Sequence, residues 1–209
     1  MTSDMALRLV YDYAKNGLMK ETPILSDIHA KLSRPIVLIG LMGAGKTKLG
    51  QMLAEALSLP FVDADDVIVA RAGLSIPEIF SRHGEPRFRA LEADVMKDLI
   101  SGAVQIISTG GGAVMTPGTA DRVFSDQVIS IWIKAPLSEH VTRTSARQGD
   151  RPLLSDSDPE AKLQDLLTHR SPVYARANLQ VENGHQTPQA SLRVLLDALH
   201  AYLYTQAHD

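Results

Sequence analysis

The chain has no cysteine among its 209 residues. Disulfides and thiolate metal sites are therefore excluded, and cysteine usage says nothing about redox compartment. It also has no basic excess: 21 Lys and Arg face 24 Asp and Glu, for a formal net charge of −3. No basic run stands out, so neither nucleic acid nor a membrane surface finds an electrostatic footprint. No stretch approaches the roughly 18 consecutive apolar residues of a membrane-spanning helix. The N-terminal region lacks the apolar core of a secretion signal, and Asp4 and Asp12 argue against a transit peptide. Internal repeats and low-complexity tracts are missing too. What remains is the expectation of a cytoplasmic enzyme, long enough for one α/β domain with a sizeable core.

What is there begins with Gly40-Leu-Met-Gly43-Ala44-Gly45-Lys46-Thr47, which fits the phosphate-binding pattern G-x-x-x-x-G-K-[ST]. It stands between an apolar strand-like run at 35–39 and a segment whose Leu49, Met52, Leu53, Ala56 and Leu57 recur at helical spacing. Glycines let backbone amides close around phosphate oxygens, and the helix N-terminus adds partial positive charge. Lys46 supplies a cation for the β- and γ-phosphates, and Thr47 a hydroxyl for Mg²⁺. A nucleoside triphosphate is the implied ligand.

Beyond residue 34, strand-like runs at 35–39, 60–62, 105–108, 128–133 and 179–181 alternate with helical patterns, the last over 188–203. That rhythm predicts a parallel sheet with helices on both faces, which binds ligands at the carboxyl ends of its strands. Residues 1–33 read as an N-terminal extension, with a short amphipathic pattern at Leu7, Leu9, Val10 and Tyr13. A loosely attached segment is the expectation there, since termini usually are so.

Three further clusters fall at strand ends. Asp63 and Asp65 close the second strand, where a period of two would point both carboxylates one way. One could serve Mg²⁺ through water and the other a substrate hydroxyl, although an Asp at Asp65 would also cap the following helix. Gly110-Gly111-Gly112 follows the third strand and allows backbone to approach a ligand closely, or forms a flexible loop. The third group is arginines: Arg89 three residues before Glu92 at helical spacing, Arg151 in the polar stretch 149–158, and Arg170 before Ser171-Pro172-Val173-Tyr174. Guanidinium forks suit carboxylates and phosphates, so the set suggests an anionic acceptor and a lid cation. The third strand lacks a terminal Asp and no Asn-Lys-x-Asp motif occurs, which weighs against a motor or GTP switch.

In this order the clusters resemble shikimate kinase, a small P-loop kinase of the nucleoside-monophosphate-kinase type. The likeness runs from about Pro35 to Leu203. It rests on the phosphate loop, Asp63-x-Asp65, Phe88-Arg89 with Glu92, Gly110-Gly111-Gly112, and Arg151-Pro-Leu-Leu with Arg170-x-Pro-x-Tyr174. The resemblance implies a P-loop three-layer sandwich, with a central five-stranded parallel sheet and a mobile lid at about 148–158. The domain would span 34–209 and act as a monomer. Its implied reaction is transfer of the ATP γ-phosphoryl group to the 3-hydroxyl of shikimate. Gly43, Ala44, Gly45, Lys46, Thr47, Lys48 and Arg151 would bind ATP. Thr47 and Asp63 would serve Mg²⁺, Asp63 through water. Asp65 would bind the ring hydroxyls and act as base. Arg89, oriented by Glu92, and Arg170 would clamp the shikimate carboxylate, while Gly110, Gly111 and Gly112 contact the ring. Lys46, Asp65 and Arg151 are the implied catalytic residues. Two departures stand out. Lys48 occupies a place where the family usually has Thr or Ser, and Gly184, His185 and Gln186 lie where an adenine-facing arginine is common. Kinases for gluconate or a nucleoside monophosphate, and a silent ligand-binding domain, are the competing readings.

Overall fold

A computed structural model of the chain describes residues 23–145 and 158–205. Among these residues five strands form one parallel sheet: β1 Ile36–Ile39, β2 Phe61–Asp63, β3 Ile106–Ser108, β4 Ile129–Lys134 and β5 Leu179–Glu182, in spatial order β2-β3-β1-β4-β5. The helices are α1 Pro23–Lys31, α2 Lys46–Leu57, α3 Ala64–Ala72, α4 Ile76–Ile100, α5 Pro117–Val123, α6 Leu137–Ser145, α7 Pro159–Tyr174 and α8 Pro188–Thr205.

Strand alternation assigns the two cores. Ile36 and Leu38 face one side, with Ile129, Ile131 and Ile133 of β4, and are covered by α1, α2 and α8. Val37 and Ile39 face the other, with Ile107 and Trp132, and are covered by α3, α4, α5 and α7. All four residues of β1 are fully buried, as expected of a strand covered on both faces. The register pairs Val37 with Ile107 on one side and with Ser130 on the other. The chain leaves β1 toward β2 on one flank and later returns to lay β4 on the opposite flank. The crevice at the carboxyl end of β1 is thus the switch point of the sheet, the place where such folds bind ligands.

Two local features aim the site. Helix α4 starts with a capping box, in which the Ser75 hydroxyl accepts from the Glu78 amide and the Glu78 carboxylate accepts from the Ser75 amide. Gly84 then interrupts it at φ 76°, a left-handed value open to glycine, and the helix resumes around Pro86. Phe88, Arg89 and Glu92 ride on the resumed part. Helix α1 lies within the stretch assigned to the extension, yet Leu25 and Ile28 are 2% and 0% exposed in the α2/α8 core. Asp27 accepts from the Tyr204 hydroxyl at 3.1 Å, and Lys31 sits 3.8 Å over the Tyr204 ring. Helix α1 thus packs into the same core as α2 and α8. The pattern at Leu7 to Tyr13 lies outside the described residues.

Candidate active site

An open cleft of about 880 Å³ runs across the carboxyl ends of β1, β2 and β3. It gathers Gly43, Gly45, Lys46, Thr47, Lys48, Asp63, Asp65, Arg89, Glu92, Gly110, Gly111, Gly112 and Arg170. These are all the sequence-predicted site residues except Ala44, the buried member of the loop, and Arg151, which lies outside the described residues together with most of the proposed lid.

At one end of the cleft the phosphate loop links β1 to α2. Gly43 and Gly45 adopt φ 80° and 91°, values that a side chain at either position would strain. Lys46 opens α2, is only 8% exposed, and donates from Nζ to the carbonyls of Gly40 at 2.8 Å and Leu41 at 3.2 Å. Thr47 donates from Oγ1 to Asp63 Oδ2 at 2.9 Å, so a hydroxyl and a carboxylate converge beside the loop. Hard oxygen donors of this kind, few in number and next to a phosphate site, suit Mg²⁺, which keeps several waters and takes its other ligands from substrate phosphates.

The Asp63-x-Asp65 pair differs from its predicted arrangement. Only Asp63 ends the strand; Asp65 is in the first turn of α3. The cap is Asp63 rather than Asp65, its Oδ1 accepting from the Asp65 amide at 3.2 Å. A three-residue edge strand running straight into a helix breaks the period of two, so the carboxylates share the cleft by helix entry and not by strand alternation. Asp63 combines the two readings, capping with one oxygen and meeting Thr47 with the other.

The opposite end of the cleft is cationic. Arg89 Nη1 donates to Glu92 Oε2 at 2.7 Å, while Nε and Nη2 reach Glu85 Oε1 at 3.1 and 3.0 Å. Burial opposes the Arg89 charge, but the Glu92 and Glu85 carboxylates outweigh it and hold the guanidinium above the ordinary arginine pKa. Glu92 is 1% exposed. Burial pushes its carboxyl up, and Asp65 adds to that, against the lowering pull of Arg89 and Arg170. We take the ion pair as formed, since a 2.7 Å contact to a permanently charged guanidinium favours the carboxylate. Arg170 Nη1 donates to the Gly111 carbonyl at 3.0 Å, and the fully buried Tyr174 hydroxyl donates to the same oxygen. The i, i+4 spacing on α7 thus brings both side chains onto the glycine run. Burial raises the Tyr174 pKa, so the phenol stays protonated as this bond requires.

The glycine run is there for space. A Cβ at Gly110 would stand 3.0 Å from both Asp65 Oδ1 and Glu92 Oε1, and one at Gly112 would stand 2.6 Å from Arg89 Nη2. These positions let the backbone after β3 pass close to the carboxylates and the guanidinium.

Sequence reading missed three residues that hold the loop from below. His140 donates from Nδ1 to the Met42 carbonyl at 2.6 Å. Arg143 reaches the carbonyls of Gly43 and Ala44 at 3.2 and 3.4 Å, and Asn183 donates from Nδ2 to Ala44 at 2.6 Å. No motif marks them, because they lie about a hundred residues or more from the loop in the chain.

Chemically, the cleft joins an anion cradle with a cation-ready oxygen pair at one end to two guanidinium groups at the other, with Asp65 between them. The family model described as shikimate kinase matches residues 42–200. A shikimate kinase of Bradyrhizobium diazoefficiens is 43% identical over 183 residues, covering 88% of this chain and 86% of the relative. One from Cereibacter sphaeroides is 44% identical over 171 residues, covering 80% and 84%. The structure of the Acinetobacter baumannii shikimate kinase in complex with shikimate superimposes with a TM-score of 0.78 at 34% identity, over 82% of this chain and 95% of that one. With 159 consecutive residues under the family model and relatives above 40% identity along most of its length, the chain belongs to the shikimate kinase family.

Proposed function

We propose that this chain transfers the γ-phosphoryl group of ATP to the 3-hydroxyl of shikimate, giving shikimate 3-phosphate and ADP in aromatic amino-acid biosynthesis. The observation that carries the reading is the two-ended cleft, in which a phosphate cradle and a pair of guanidinium groups are separated by a carboxylate. A gluconate or nucleoside-monophosphate acceptor gives no equal reason for Arg89 to be locked between two glutamates over a glycine run.

In this reading the amides of Gly43 to Thr47 and Lys48 grip the triphosphate, and Lys46 exchanges its loop carbonyls for phosphate oxygens. Thr47 and Asp63 would hold Mg²⁺, Asp63 through water, and the bound ion would supply charge neutralisation at the phosphates. Arg89 and Arg170 take the shikimate carboxylate, a non-reacting group, and so fix the ring with its 3-hydroxyl toward the γ-phosphorus. Asp65 accepts the hydroxyl proton as the oxygen–phosphorus bond forms and the bond to the β-phosphate oxygen breaks, releasing ADP. Little base strength is needed, since positioning and charge stabilisation dominate phosphoryl transfer. Arg151 closes from the lid over the transferred group. We propose a monomer acting in the cytoplasm; none of the described helices is long and apolar enough to cross a membrane.

The test is ADP release from Mg²⁺-ATP with shikimate, gluconate and AMP as separate acceptors. Turnover with shikimate alone is expected. Turnover with another acceptor, or nucleotide binding without turnover, would overturn the proposal.

A further inference from the structure

His140 has no part in the chemistry described above, yet it is 1% exposed and lies directly under the phosphate loop. A Cβ placed on Gly43 would stand 3.1 Å from the His140 carbonyl oxygen and 3.2 Å from its Cα, so loop and helix α6 are in close contact here. The imidazole Nδ1 lies 2.6 Å from the Met42 carbonyl oxygen. A carbonyl only accepts, so Nδ1 carries the proton. The Thr144 hydroxyl in turn donates to the His140 carbonyl at 2.6 Å and fixes the helix turn that carries the ring.

In a trans peptide the carbonyl of one residue and the N–H of the next point in opposite directions, and the described chain has no cis bond. Drawing the Met42 carbonyl down onto His140 therefore turns the Gly43 N–H up, toward the cleft. The same logic applies one step on. Asn183 holds the Ala44 carbonyl at 2.6 Å and turns the Gly45 N–H outward. Between them the Ala44 N–H is bonded inside the loop, to Leu41 at 3.2 Å. The lining of the cleft matches this alternation, since Gly43 and Gly45 face it and Ala44 is buried.

We propose that His140 is a positioning residue for ATP: its Nδ1–H sets the Met42–Gly43 peptide so that the Gly43 amide is aimed at the nucleotide phosphates before they arrive. The inference rests on the phosphate loop being the ATP site, as proposed above. Nδ1–H is present in the neutral and the protonated ring alike. Burial holds the imidazole below its ordinary range, and Lys46 and Arg143 act in the same direction against the Met42 and Ala135 carbonyls.

The test compares His140→Leu, His140→Asn and His140→Gln by direct titration with Mg²⁺-ATP in the absence of acceptor, then by KM for each substrate. Thermal unfolding is followed alongside. An Asn amide nitrogen lies where Nδ1 lies, whereas a Gln amide reaches one bond too far. His140→Leu and His140→Gln are expected to weaken ATP binding about tenfold, the size of one lost buried hydrogen bond. The KM for shikimate should stay unchanged, and His140→Asn should restore most of the affinity. If His140→Leu does not fold, the Asn and Gln pair carries the comparison. Unchanged ATP affinity in the Gln variant, equal losses toward both substrates, or an Asn variant as weak as Gln would overturn the proposal. Because the titration needs no acceptor, failure of the shikimate reading would show separately, as wild-type ATP binding without turnover.

Discussion

The glycine run offers a perturbation whose size can be worked from geometry. Gly112 has φ −103° and ψ −5°, which alanine adopts without strain. Its methyl group, however, would meet Arg89 Nη2 at 2.6 Å, Nη1 at 2.8 Å and Cζ at 2.9 Å. Restoring an ordinary contact of 3.4 Å moves the guanidinium by about 0.8 Å. The group cannot swing away freely, because Glu92 and Glu85 hold it on two sides. A charge-assisted bond to a substrate carboxylate would stretch from about 2.8 Å to about 3.6 Å, beyond hydrogen-bonding range. Such bonds contribute about 1.5–3 kcal/mol, so Gly112→Ala should raise the KM for shikimate roughly 10- to 100-fold. The carboxylate is remote from the reacting hydroxyl, so kcat should fall less than about threefold. The assay is coupled ADP release with shikimate varied at saturating Mg²⁺-ATP, beside thermal unfolding. An unchanged shikimate KM would refute the reasoning. So would a Tm collapse that accounts for the lost activity, since the backbone was argued to tolerate the methyl.

Arg170→Ala should likewise raise the shikimate KM more than it lowers kcat, while Tyr174 keeps its bond to the Gly111 carbonyl and the fold survives; KM unchanged within error would remove Arg170 from the clamp. Asp63→Asn keeps a capping oxygen for α3 but loses the charge, so the Mg²⁺ concentration for half-maximal rate should rise about tenfold or more. A superimposable Mg²⁺ titration would count against the metal role. For pH, the His140 pKa is lowered in the folded chain from its ordinary 6.5. Below pH 6.5 the unfolded chain therefore takes up a proton that the folded one refuses, so this contribution to stability is whole above 6.5 and is lost as pH falls toward the folded pKa. His140→Asn, which does not titrate, should show a shallower decline of Tm between pH 7 and about pH 5; parallel curves would contradict this.

How much of the site could be read from the chain depends on the distance over which each part is encoded. The phosphate loop is written in eight consecutive residues, Gly40 to Thr47, because a cradle of backbone amides is a local object. The Arg89–Glu92 pair was legible for the same reason: three residues along a helix is one neighbour, and the contact is 2.7 Å. The inner strands β1, β3 and β4 announced themselves as apolar runs, since strands covered on both faces leave little polar alternation. The placement of Asp65 was not legible. A period of two holds only while the strand lasts, and β2 ends at Asp63. Helix α1 was hidden as well, because one short helix shows only Leu25 and Ile28 as its inward face and needs α8 to bury them.

By itself, then, the sequence determined the alternation of strands and helices, the anion cradle and the types of side chain available to an acid-bearing acceptor. Tertiary structure decided which of these meet. Only the strand order β2-β3-β1-β4-β5 brings Asp63, Gly110 and Lys46 to one crevice, and only the packing of α6 and the end of β5 under the loop sets His140 and Asn183 against its carbonyls. The physical reason is that hydrogen bonds and clefts form between surfaces folded together from far apart. Their partners are 98 and 139 residues away in the chain, where no local pattern can record them.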